Sequence, residues 1–172
     1  QADIVKVIHA VVEASRRLSA RQHGALIIMQ RTDSLAQYAE TGVQLHAQVT
    51  PELLLQIFYP DTPLHDGGVI IADGKVAAAA CVMPLSASGI LTRNPERQMG
   101  LRHRAALGSS EVSDAVSVVV SEQSGSISIA HAGRMIRRID PERLENILVA
   151  FYQTDVSTPR KAWFQRFFRR NK

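Results

Sequence analysis

Cysteine is nearly absent: Cys81, within the apolar run Val76 to Val82, is the only one in the chain. A lone thiol excludes an intrachain disulfide and any metal cluster built on cysteines, and it fits a reducing, cytosolic setting. Aromatic residues are scarce as well, at 5%, and the single Trp and three of the five Phe stand beyond residue 160. No apolar run approaches the ~20 residues of a bilayer-spanning helix, because Arg, Asp or Gly interrupts each candidate. The stretch is therefore expected to be soluble. The charged, amphipathic segment after Gln1 lacks the apolar core of a signal peptide, which suggests an excised or processed piece. Internal repeats and low-complexity segments are also missing.

What is present, 45% hydrophobic and 21% charged residues in 172, suits one compact domain. The net charge of +4 invites a nucleic-acid reading, but it is unevenly placed. Residues 155–172 carry six basic residues and one acidic residue, so this segment is +5 and the other 154 residues are −1. Basicity belongs to the tail, and nucleic-acid binding by the domain is not expected. The division expected is a domain over 1–153 and a basic, aromatic tail over 154–172.

Apolar residues at Ile4, Val7, Ile8, Val11, Val12 and Leu18 recur every three or four positions, which predicts an amphipathic helix over 3–18. Gly24 to Met29 is apolar and too short for a helix. Thr50 before Pro51 caps a second helix that Tyr59-Pro60 closes. Val69 to Ala72, the Asp73-Gly74 turn and Lys75 to Val82 make a hairpin buried on both faces. Pro84 to Met99 is a long polar loop, followed by a short helix over 102–107. Three strands follow at 115–120, 126–130 and 135–139, and Asp140-Pro141 starts a last helix through Tyr152. The fold class expected is α/β of an α+β-like kind, a single domain with a central mixed sheet flanked by helices.

Three polar clusters interrupt the apolar structure: His65-Asp66-Gly67-Gly68, Gly100-Leu101-Arg102-His103-Arg104 and Ser121-Glu122. Two arginines around a histidine offer charge-assisted donors to phosphate oxygens, and helix N-terminal amides would add to that field. A carboxylate beside glycines lets the backbone approach a ligand, so Asp66 could hold Mg²⁺ or orient a hydroxyl. Each signal also has a plain reading. Asp-Gly is commonly a turn, Arg-His-Arg a solvated helix start, and Glu111, Asp114 and Glu122 solvated carboxylates at element ends. His23, His46 and His131 read as surface or strand-end residues.

Together, the strings Thr62-Pro63-Leu64-His65-Asp66-Gly67-Gly68-Val69-Ile70-Ile71 and Arg102-His103-Arg104-Ala105-Ala106-Leu107-Gly108 resemble the Asp-Gly-Ala and Arg-His-Arg motifs of the diadenylate cyclase family. The resemblance runs over roughly residues 4–152 and is strongest to the family's membrane-anchored branch. Its departures are Gly68 for alanine, Leu101 for threonine and Gln123 for a second glutamate. The loop at 84–99 is also longer than usual.

The resemblance implies a DAC-domain enzyme, a nucleotidyltransferase that condenses two ATP into cyclic di-AMP with release of two pyrophosphates. A face-to-face homodimer would bring the two ATP together, and Asp66 would activate the 3′-hydroxyl. Asp66 and His65 would hold a divalent ion, Mn²⁺ or Mg²⁺. Arg102, His103, Arg104 and Ser121 would hold the triphosphate, with Gly67, Gly68, Gly100, Leu101 and Glu122 shaping the nucleotide site. Backbone groups of Val82, Met83 and Pro84 would read adenine. It also implies a full-length protein at the cytoplasmic face of the cell membrane, with a membrane-bound regulatory protein as a candidate partner. The departures motivate an alternative, a nucleotide-binding module with weak or lost turnover. The tail, with Trp163, Phe164, Phe167 and Phe168 among Arg and Lys, has two main readings, contact with an anionic membrane surface or acidic partner and a helix docked on the domain, with nucleic-acid binding a lesser third.

Overall fold

The computed structural model describes residues 4–88 and 99–153, so most of the polar loop and the whole basic tail lie outside the described residues. Seven strands form one sheet: β1 (Ala25–Met29), β2 (Val43–Gln48), β3 (Gly68–Ala72), β4 (Lys75–Cys81), β5 (Val116–Val120), β6 (Ile127–His131) and β7 (Arg134–Ile139). Among the described residues five helices accompany them: α1 (Ile4–Arg21), α2 (Ala36–Ala39), α3 (Pro51–Ile57), α4 (Leu101–Val112) and α5 (Pro141–Gln153). The order across the sheet is β2-β4-β3-β1-β5-β6-β7. Only β1 and β3 run parallel; the other five pairings are antiparallel.

The two faces of the sheet explain its continuous apolar strands. Ala25, Ile27 and Met29 of β1 pack with Val11 and Leu18 of α1, Leu54 of α3 and Leu148 of α5. The alternate residues Leu26 and Ile28 pack on the other face with Ala105 and Ala106 of α4. Side chains alternate along a strand, so a strand covered by helices on both sides must be apolar at every position. Hence the mixed sheet flanked by helices is the fold observed. No helix among the described residues is long and apolar enough to cross a membrane.

Local chemistry sets the element ends. Thr50 Oγ1 accepts the Leu53 amide at 3.1 Å and Pro51 fills the first turn, as a capped helix requires. The Asp140 carboxylate accepts the Arg143 amide at 2.8 Å in the same way. Helix α4 runs five residues past the expected end at 107, through Gly108-Ser109-Ser110. It does so because Ser109 and Ser110 donate back to the Ala105 and Leu107 carbonyls, both at 2.7 Å, which keeps these hydroxyls satisfied inside a helix. The sequence reading has no element at 36–48, where the structure has α2 and the edge strand β2. A bulge breaks the pairing of β2 with β4, and His46 within it takes a left-handed φ of 50° and is exposed.

Two plain readings change. Asp114 is a brace between β1's end and β5's start: its oxygens accept the Thr32 and Asp33 amides at 3.0 and 2.9 Å, and Asp33 accepts its amide in return. Burial works upward on its pKa, but the Asp33 and Thr32 bonds outweigh it and hold the carboxyl below its usual value. His131 does end a strand, yet it is buried with its ring edge-on to Phe151 at 4.6 Å.

Candidate active site

Strand directions gather the polar clusters at one edge of the sheet. Because β1 and β3 are parallel and each antiparallel to its other neighbour, β1 and β3 begin where β4 and β5 end. Gly67, Val82 and Ser121 flank those strand ends, and the first turn of α4 caps the same edge. Between them lies a cavity of about 1040 Å³, at the upper end of the range that holds ligands. His65, Asp66, Gly67, Val82, Met83, Gly100, Leu101, Arg102, His103, Ser121 and Glu122 all line it. Gly68, Pro84 and Arg104 do not.

The Asp66 side chain is 89% exposed, a carboxylate facing the cavity rather than a buried turn cap. Gly67 supports it with φ +85°, and a Cβ there would meet the Cys81 carbonyl at 2.6 Å, so only glycine fits. Neighbouring His65 has a fixed tautomer: its Nδ1–H donates to the Thr62 carbonyl at 2.6 Å, since a carbonyl only accepts. The lone pair of Nε2 is thereby left outward, 3.9 Å from Asp66 Oδ1. One imidazole nitrogen and one carboxylate fit a divalent ion that takes its remaining ligands from phosphates and water. Among the described residues no group of three or more His, Cys, Asp or Glu could hold a metal alone.

Across the cavity, Arg102 is 20% exposed and pairs with Glu122 at 3.4 Å. Its guanidinium lies over Gly24, where a Cβ would stand 2.5 Å from Nη1, and its buried Nε has no partner. Burial lowers the pKa of His103, and the charges of Arg137 and Arg102 lower it further. Ser121 Oγ accepts the Gln123 and Ser124 amides at 3.2 and 3.3 Å, leaving its O–H to donate to an anion. Cys81 lines the wall with a thiol that burial pushes up to about 11, which excludes thiolate chemistry at neutral pH.

Three residues expected at the site point elsewhere. Arg104 donates through Nε to the Ser86 carbonyl at 3.4 Å, holding the segment after β4 against α4. Gly68 is buried in the sheet, where the family's alanine methyl would meet Ile28 Cδ1 at 2.5 Å. Pro84 lies off the cavity wall, and the Val82 amide is already donated to Thr41 Oγ1 at 2.8 Å, which leaves its carbonyl for base contact. Conversely, the sequence reading passed over Gly24, Arg137 and Arg138. The signal for the two arginines was Ile136 and Ile139, apolar residues three apart in a strand where period two is expected.

The model of the DAC family, described as DisA bacterial checkpoint controller nucleotide-binding, matches residues 12–135. The chain is 40% identical over 162 residues to the cyclic di-AMP synthase CdaA of Bacillus subtilis (strain 168), covering 94% of this chain and 58% of that protein. It is 42% identical over 143 residues to a diadenylate cyclase of Listeria monocytogenes serotype 1/2a (strain 10403S), covering 83% and 51%. The chain thus spans little more than half the length of these curated relatives. A crystal structure of a DacA double mutant from Staphylococcus aureus superposes with a TM-score of 0.80 at 40% identity, covering 87% of this chain and 97% of that one. A structure described as a hypothetical membrane spanning protein from Bacillus cereus gives a TM-score of 0.70 at 43% identity, covering 76% and 62%. With the sheet order, the cavity and these likenesses in agreement, the chain belongs to the DAC family.

Proposed function

We propose that this chain is the catalytic domain of a diadenylate cyclase, joining two ATP into cyclic di-AMP and two pyrophosphates. One observation carries the reading: the exposed Asp66 carboxylate and the Arg102–His103 helix start line a single cavity at one sheet edge. Relatives named as a cyclic di-AMP synthase and a diadenylate cyclase, 40% and 42% identical, support it.

The product has two-fold symmetry, so two protomers paired face to face would hold two ATP antiparallel. Each ribose 3′-oxygen attacks the α-phosphorus of the other ATP, the bond from that phosphorus to the bridging oxygen breaks, and pyrophosphate leaves. The hydroxyl proton passes to the Asp66 carboxylate. Two such attacks close the ring. Arg102, His103 and Ser121 offer donors to the phosphate oxygens where negative charge grows, while Arg104 keeps α4 and the Ser86 segment in place. Asp66 and His65 Nε2 would hold Mn²⁺ or Mg²⁺, which neutralises phosphate charge when bound. Exposed Val82 and Leu101 give the base an apolar wall.

The whole protein, in this reading, sits at the cytoplasmic face of a membrane beside a membrane-bound regulator. The tail over 154–172 would then reach the lipid surface. Incubation of the chain with ATP and either ion, followed by mass spectrometry, tests the reaction. Cyclic di-AMP is expected from the wild type, with Asp66→Asn slower by about 10²–10⁴. ATP binding without product at high protein concentration would overturn the cyclase and favour a nucleotide-binding module.

A further inference from the structure

We propose that Arg137 and Arg138 form a second anion subsite in the cavity, one that takes a diphosphate group. Its ligand would be the β- and γ-phosphates of the bound nucleotide and, after attack, the departing pyrophosphate. The subsite rests on the cyclase reading for its natural ligand.

In a regular strand, consecutive side chains point to opposite faces, and only one of two adjacent arginines can reach a given cavity. Here both line it. The reason is a bulge: β6 and β7 pair Ile127 with Ile139 and Ile129 with Ile136, so Arg137 and Arg138 together face the single residue Ser128. Arg138 takes a left-handed φ of 55°, a conformation costly for a residue with a Cβ. Bulges of this kind re-aim side chains beside functional sites.

Charge balance points the same way. The cavity wall carries Arg102, Arg137 and Arg138 against Asp66 and Glu122. Arg102 is committed to Glu122 at 3.4 Å and sits over Gly24, whereas Arg137 and Arg138 are exposed and have no ion pair within the described residues. The uncompensated positive charge of the cavity therefore sits on β7. Arg137 lines the same cavity as His103, and its charge contributes to lowering the pKa of that ring at the helix start. A triphosphate whose α-phosphate meets Arg102 and His103 would extend its outer phosphates toward these two guanidinium groups, which suit paired phosphate oxygens.

Calorimetric titration of the full chain with pyrophosphate and, separately, with AMP tests the subsite in Arg137→Gln and Arg138→Gly. Glycine accepts the left-handed φ, so the second variant removes the guanidinium without straining the bulge. Each variant is expected to bind pyrophosphate about tenfold more weakly while AMP binding stays unchanged. Unaltered pyrophosphate affinity in both variants, or an equal loss for AMP, would overturn the subsite. A chain that makes no cyclic product yet shows the selective loss keeps the subsite and loses the cyclase reading. Product formation together with wild-type pyrophosphate binding in both variants keeps the cyclase reading and removes the subsite.

Discussion

The guanidinium of Arg102 is held by what lies beneath it as much as by its ion pair. A methyl at Gly24 would stand 2.5 Å from Nη1 and 2.6 Å from Cζ, and the group that must yield is the end of a flexible side chain. Gly24→Ala is therefore expected to displace Arg102 and leave the fold intact. Steady-state kinetics should show the KM for ATP raised about tenfold, with the melting temperature changed by no more than ~2 °C. The effect should vanish in an Arg102→Lys background, because a lysine ammonium does not lie flat on Gly24; a double-mutant cycle reads this coupling. His131 gives a second prediction at this scale. Burial, followed by the charge of Arg31, lowers its pKa to about 4. The unfolded chain binds a proton near pH 6.5 that the folded chain refuses until near 4, so stability is lost as pH falls through that window. Urea titrations from pH 7 to 4 should show His131→Gln losing less stability than wild type, by at most ~1.4 kcal/mol per pH unit.

Elements follow from their ends and their interruptions. Removing the Thr50 hydroxyl leaves an orphan amide at the start of α3, and Thr50→Ala should lower the unfolding free energy by about 1 kcal/mol in urea titration. That cap was readable as Thr-Pro before an apolar run, and so was the stripe of α1, because both signals are local. The end of α4 was not readable, since Gly108-Ser109-Ser110 looks like a loop until the hydroxyls find carbonyls one turn back. Strand β2 was missed although Val43, Leu45 and Ala47 alternate with polar residues; the left-handed His46 and the sheet-edge position weaken its apolar signal. The β7 bulge left one local trace, Ile136 and Ile139 three apart, but which residues it sets opposite Ser128 is decided only when β6 and β7 pair.

For the whole molecule, the proposed face-to-face pairing of two protomers would make the rate depend on dimerisation. The rate per protomer should rise with protein concentration until pairing saturates, which activity measurements over a dilution series will check. Mixing wild type with excess Asp66→Asn should yield linear dinucleotide that still carries its triphosphate, because a mixed pair performs one attack and lacks the second base; mass spectrometry separates the linear from the cyclic product. The helices at both ends, the buried hairpin and the polar clusters were legible in the chain alone, and the paired motifs pointed to the family. Those properties reside in neighbouring residues, in periodicity and in caps. The tertiary structure decided which cluster members share a cavity. It turned Arg104 toward Ser86, buried Gly68 in the sheet, set Gly24 beneath Arg102, and brought Arg137 and Arg138 to the cavity wall. Strand order and register set those placements, and they arise only when segments distant in the chain pair and pack.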